Sequence, residues 1–316
     1  MGVAFMAADT ANAILSRLAS QFLARNYDYL WLKTMLEKCK TVPSGATLIT
    51  GSSHALNGIQ ESAWRHAVNC SMHSQDLYYD YLCARQAILS APEHRFERCF
   101  IVMGYYIAYQ DLSRSKISRE SVISSVYYPI FGDARHWETP IAHEPWDGFG
   151  KIPEPMKAVC EEAAAKALLE CGTYYSRFRL RGTFFDLKGR TWAQTAAADR
   201  QAMGQYRAEE HNRLFQHKES FEENKGVFRE FIRFLHRNGV LPVVVIPPFT
   251  PEYCRFVLPE LKAGVLELVD CTREDVHFVD FNQTDLFEPA DFMDTDHLSG
   301  EGAKKFSGIL SEMFGA

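Results

Sequence analysis

Two short stretches, far apart in a chain of 316 residues, carry side chains suited to nucleophilic chemistry. Near the start, Gly51-Ser52-Ser53-His54 follows the apolar run ATLIT at 46–50. A serine there lies where a buried strand gives way to a helix, whose first amides point at any oxyanion that forms on an attacked carbonyl. Ser53 is therefore the candidate nucleophile, although Ser and Gly are also ordinary turn and N-cap residues. Near the end, Phe292-Met293-Asp294-Thr295-Asp296-His297-Leu298-Ser299 holds a carboxylate and an imidazole three residues apart. Asp294 can hydrogen-bond one ring nitrogen of His297 and leave the other to take a proton from a serine hydroxyl. Asp296, adjacent to His297, is expected to point away as a solvated loop charge, with the role of orienter as its alternative. His54, adjacent to Ser53, is expected to pack or cap rather than act as the base.

Both stretches need a scaffold that brings them to one edge. ATLIT (46–50), CFIVM (99–103), PVVVI (242–246) and VHFVDF (276–281) are short apolar runs without strict polar alternation, the pattern of interior parallel strands. Helical periodicity fills the intervals: from Thr10 to about Cys39 with a bend near Asn26, from about Asn57, at about 75–90, at about 219–238 closed by Asn238-Gly239, and at about 299–314 with Ala303, Phe306, Leu310 and Met313 on one face. Strands alternating with helices predict a three-layer α/β/α sandwich on a mostly parallel sheet of the flavodoxin kind. Residues 1–42 read as a helical lead-in and 43–316 as the α/β domain. Within it, about 113–200 breaks the rhythm with Pro129, Pro140, Pro145, Pro153 and Pro155, several aromatics and two Ala-rich helices. That segment is expected to be an insertion over the sheet and not a separate domain.

A GDS-like turn near the start and a DxxH loop near the end, on this alternation of elements, resemble the SGNH/GDSL hydrolase superfamily. The resemblance maps Ser53 onto the nucleophile, His297 onto the base and Asp294 onto the acid, and implies hydrolysis or transfer of an acyl group. LITGSSHALNGI and DTDHLSGEGAKKFS look most like the branch that works on bacterial cell-envelope polymers, among them D-alanyl-lipoteichoic-acid biosynthesis proteins and polysaccharide O-acyl esterases or transferases. The chain departs from the pattern in three places. Ser52 stands where Asp or Asn is usual, and can still serve as a turn or hydrogen-bonding residue. The second block, which normally offers a Gly amide, has as its counterpart Asn69-Cys70-Ser71, and the third reads Gly104-Tyr105-Tyr106-Ile107 in place of GxND. Either the amides of Ser53 and Ser71 stabilise the oxyanion, with Asn69 or Tyr106 assisting, or turnover on ordinary esters is poor.

Other residues have two readings. Tyr78, Tyr79, Tyr81, Tyr105, Tyr106 and Tyr109 crowd two expected strand ends, either as half-buried core or as an aromatic wall that stacks a sugar or holds an acyl donor. Trp137, beside His136, and Trp146 extend that wall or anchor the insertion. Arg207 and His211, four apart on a helix, are expected on a solvated face, with anion binding as the alternative. Asn224 falls between Phe221 and Phe228 and is expected as a satisfied buried amide, with support of the active edge as the alternative.

Composition removes whole classes of function. With 34 Lys+Arg against 40 Asp+Glu, a formal charge of -6 and no basic block, nothing attracts a phosphate backbone, so no nucleic-acid partner is expected. The eight cysteines, Cys39, Cys70, Cys83, Cys99, Cys160, Cys171, Cys254 and Cys271, form no CxxC pair or zinc ladder and read as free thiols of a reducing, cytoplasmic compartment. GVAFMAA, cut short by Asp9, is too short to span a membrane and badly flanked for a signal peptide. Without HExxH, GxGxxG or GxxxxGK[ST], no metal or other cofactor is expected. The expected activity is serine-dependent transfer of an O-acyl group, foremost O-acetyl, on a carbohydrate-like or small-molecule substrate. The alternative is a non-catalytic binding or scaffold protein of the same fold in polysaccharide biosynthesis.

Overall fold

A computed structural model describes residues 2–92, 95–170 and 185–315. Cys171 and the 171–184 part of the insertion lie outside the described residues. The chain divides into two compact units, 1–34 with 112–180, and 35–111 with 181–316. The 113–200 segment, read from sequence as one insertion, is therefore shared: its described residues up to 170 cluster with the first helix, and those from 185 cluster with the sheet.

In the first unit the helices Gly2–Arg25 and Glu154–Glu170 pack together and are bridged by Trp146. Trp146 lies 4.4 Å from Phe22, centroid to centroid, and Phe149 lies 5.8 Å from Phe22. The Trp146 Nε1 donates to Glu161 Oε1 at 2.7 Å, so this indole, a candidate for a substrate wall, is the anchor of its own unit. Trp137 belongs to the same unit and is half-buried. The chain breaks between helices at Asn26, whose side chain donates to the carbonyls of Phe22 and Pro145.

The second unit holds, among the described residues, five parallel strands: β1 Ala46–Gly51, β2 Ala67–Asn69, β3 Phe96–Val102, β4 Leu241–Ile246 and β5 His277–Asp280, in the order β2-β1-β3-β4-β5. Pairing registers Ile49 with Phe100 and Phe100 with Val243, which puts these side chains on one face. There they pack with Trp64, Ala303, Phe306 and Leu310, the last three from helix Gly300–Phe314. Met313, expected on that apolar stripe, is 52% exposed. The other face is covered by helices Leu77–Ser90 and Lys218–Arg237. Asn224, on the second of these, is fully buried and donates to the Ala108 and Gln110 carbonyls. Helices thus cover both faces of an open, all-parallel sheet, as a three-layer α/β arrangement requires. Among the described residues no helix is long and apolar enough to cross a membrane.

Beneath the end of β1 lies a buried acid. Asp80 Oδ1 accepts from Gln75 Nε2 at 2.7 Å. Burial pushes its carboxyl from 3.8 up to about 8, reinforced by Asp76 and only partly offset by the Gln75 and Gly51 hydrogen bonds. The folded chain therefore keeps a proton that the unfolded chain gives up, so the contribution of Asp80 to stability is full below about pH 4 and is lost as pH rises toward about 8. Asp80→Asn, which is isosteric and cannot ionise, should abolish that decline. Melting temperatures of the two proteins measured from pH 4 to 9 check it; parallel curves would show that Asp80 is not the group responsible.

Candidate active site

The serine turn is built by a glycine. Gly51 ends β1 with φ +146°, and a Cβ there would lie 2.3 Å from the Val102 carbonyl oxygen and 2.9 Å from the Ala55 Cβ. Only glycine lets β1 turn this sharply against β3. Helix Ser53–Gly58 follows at once, beginning at Ser53 and not near Asn57. Ser53 is thereby its first residue, and among the described residues its backbone N–H meets no acceptor.

The second stretch is a tight loop pinned at its base. Phe292 and Leu298, both core residues, form an antiparallel bridge, and Met293 N donates to the His297 carbonyl at 2.9 Å. Inside it, Asp294 Oδ1 accepts from the backbone N–H of Asp296 at 3.0 Å and of His297 at 2.8 Å. The carboxylate is therefore fixed before it meets the ring. His297 Nδ1 lies 3.0 Å from Asp294 Oδ1 and 3.1 Å from Oδ2, and His297 Nε2 lies 2.8 Å from Ser53 Oγ. A carboxylate only accepts, so Nδ1 carries hydrogen toward Asp294 and Nε2 is left to accept from the serine hydroxyl. The three residues singled out from sequence stand in one hydrogen-bonded line.

A second line runs beside it. Ser52 Oγ is 3.1 Å from His54 Nδ1, and His54 Nε2 is 3.2 Å from Asp296 Oδ2. The two imidazoles stack at 4.9 Å with their planes 24° apart. Asp296, expected as a solvated charge, is buried and accepts from Arg207 Nε at 3.0 and 3.3 Å and from Thr295 Oγ1 at 2.9 Å. Arg207 and His211, expected on a solvated helix face, both point inward. Gly204 lets their helix, Ala197–Asn212, approach the Glu252 backbone, where a Cβ would lie 2.5 Å from its carbonyl carbon. One turn on, Arg207 reaches Asp296, and His211 Nδ1 meets the Tyr253 hydroxyl at 2.6 Å. The signal available in sequence was that glycine inside a helix, in step with Ala208 and His211.

The remaining candidates fall elsewhere. The Ser71 amide, expected as an oxyanion donor, already donates to Asn69 Oδ1 at 3.0 Å, because the chain curls at the end of β2. Its neighbours are committed too, Cys70 N to the Ile49 carbonyl and Met72 N to the Gly51 carbonyl. Asn69 Nδ2 donates to the Ala55 carbonyl at 3.2 Å, tying the serine helix to β2. Tyr105 donates its hydroxyl to Asp280 Oδ2 at 2.7 Å. Tyr106 is buried, its ring stacked on His211 at 3.8 Å. These two tyrosines brace the edge from within.

Charge follows from burial and partners. Burial opposes a charged His297, yet the Asp294 and Asp296 carboxylates outweigh it and hold that imidazole above the ordinary histidine range. Burial lowers His54 despite its bond to Asp296, and burial with the Arg207 charge lowers His211 well below the ordinary value. Burial would raise Asp296, but Arg207 and the two imidazoles bring it well below the usual carboxylate range. His54, Asp296 and His297 offer three ligand atoms within 4.8 Å of one another. They do not suit a divalent cation, because Arg207 already sits on the carboxylate and both nitrogens of each ring have protein partners.

In a histidine-resolved NMR titration, His297 should titrate above about pH 6.5 and His54 and His211 below it. Assignment by His→Gln substitution checks this, and a His54 midpoint above that of His297 would contradict the arrangement. Comparison of the chain with protein-family models finds no match, and a search of curated proteins finds none either, so the geometry itself carries the functional reading.

Proposed function

We propose that the protein is a serine-dependent acyl-transfer enzyme. The observation that carries this reading is the continuous line from Ser53 Oγ through His297 to Asp294, at 2.8 and 3.0 Å, at the carboxyl edge of a parallel sheet. His297 takes the Ser53 proton as Oγ attacks an ester carbonyl, the Ser53 amide donates to the oxyanion, and the leaving alcohol departs with the proton from His297. Water or a second alcohol then reverses these steps and frees the serine. The reading assigns the chain to the SGNH/GDSL hydrolase superfamily, with an O-acyl, foremost O-acetyl, group on a carbohydrate-like substrate. Seven free cysteines among the described residues support a reducing, cytoplasmic compartment.

One observation favours a second reading, a binding or scaffold protein of the same fold. The amides of Cys70, Ser71 and Met72 are all committed, which leaves the oxyanion fewer donors than the resemblance implies.

A fluorophosphonate probe separates the two, since stoichiometric labelling at Ser53, read by peptide mass spectrometry, requires an activated serine. Ser53→Ala and His297→Ala should abolish release of acetyl from an activated aryl ester, and Asp294→Asn should cost about 10⁴-fold in kcat by favouring the wrong tautomer. Absence of labelling in correctly folded protein would favour the binding reading.

A further inference from the structure

The Ser53 line accounts for Asp294 but leaves unexplained why a second carboxylate, a second imidazole and a guanidinium are buried against it. Asp296 Oδ1 lies 3.6 Å from His297 Nδ1, against 3.0 Å for Asp294 Oδ1, so the second carboxylate stands only slightly beyond hydrogen-bond reach of the base. It does not capture the ring, because its oxygens are occupied: Arg207 Nε bridges both, Thr295 Oγ1 binds Oδ1 and His54 Nε2 binds Oδ2. This carboxylate has no exposed side-chain surface, and its bonds to the guanidinium are charge-assisted.

We infer that Arg207, with Asp296 and His54, is a positioning unit for the base: it withholds Asp296 from His297 and balances the second negative charge, thereby setting the pH at which His297 becomes free to take the Ser53 proton. The inference rests on reading Ser53, His297 and Asp294 as an acyl-transfer centre. Its electrostatics are simple to count. Asp294 and Asp296 against Arg207 leave one net negative charge around a neutral His297, and that charge is cancelled when the ring receives the serine proton. Without Arg207 two negative charges would surround the ring and hold a proton on it to higher pH. The other titratable groups facing the ring do not disturb the count. His54 and His211 are kept neutral by burial, and Tyr106 and Tyr253 are kept protonated by it.

His54 has a geometric part. Its Nε2 must carry hydrogen to face the Asp296 carboxylate, and its Nδ1 then accepts from Ser52. Held at both nitrogens, the ring is a fixed plane against which His297 lies. These residues touch no reacting atom and act through His297 alone.

The test is the acid limb of the kcat/KM profile for an activated aryl acetate, paired with the NMR midpoint of His297 in the same proteins. Arg207→Met should move both upward by about one pH unit or more. Asp296→Asn should move them downward, and the double variant, with the charge balance restored, should return close to the wild-type position. Arg207→Lys, which keeps the charge, should stay closer to wild type than Arg207→Met. A merely structural Arg207 would lower the plateau and leave the limb in place, and that result overturns the inference. If Arg207→Met does not fold, the downward shift in Asp296→Asn carries the same test, and its absence has the same force. Should the wild-type protein fail to label with fluorophosphonate while the NMR midpoints move as stated, the acyl-transfer reading falls and the charge coupling stands. Immobile midpoints in a protein that labels at Ser53 overturn the coupling alone.

Discussion

Gly51 approaches the Val102 carbonyl more closely than any side chain would permit, and the arrangement at the carboxyl edge depends on that contact. It lets β1 stop abruptly and the next residues rise above the edge, with Ser52 and Ser53 facing different partners. The strand order puts β1 between β2 and β3, where connections leave the sheet toward opposite faces. An open parallel sheet has its natural crevice at such a point, outside the carboxyl ends. Ser53 stands there because of the topology, and its hydroxyl finds His297 because the 292–298 loop is anchored in the same core by Phe292 and Leu298.

Burial gives these contacts their strength. Asp294 and Asp296 have no exposed side-chain surface and His297 only 6%. Water therefore contributes little to solvating the charges, and each is satisfied by fixed donors: two backbone amides for Asp294, and a guanidinium, a hydroxyl and an imidazole for Asp296. Fixed donors need no reorganisation when a proton moves, which is the property a site of proton transfer needs.

The sheet was largely legible because its strands are dense apolar runs. ATLIT, CFIVM, PVVVI and VHFVDF fall on β1, β3, β4 and β5, whereas β2, only Ala-Val-Asn, is too short to leave a periodic signal. The Asp294–His297 pair was legible because it is local, set by a spacing of three. The Arg207–Asp296 pair joins residues 89 apart, and nothing in a polar helix pattern announces that Arg207 faces inward. The burial of Asp296 is hidden for a related reason: adjacency to His297 says that it points elsewhere, not that elsewhere is the interior. The Ser71 amide could not be judged from sequence either, since its commitment to Asn69 depends on how the chain curls beyond β2.

The two hydrogen-bonded lines draw on the same pair of loops in alternation. Residues 52 and 54 serve one line and residue 53 the other, while residues 294 and 297 face residue 296 in the same way. Sequence neighbours are thus assigned to different tasks, much as successive residues of a strand are assigned to opposite faces. A slip of one residue in a strand exchanges its faces; here the deletion or insertion of one residue between Asp294 and His297 would remove the spacing of three that lets Asp294 meet the ring facing Ser53. These loops are therefore defined by length as much as by residue type, and length is the property that loops elsewhere on a protein surface vary most freely.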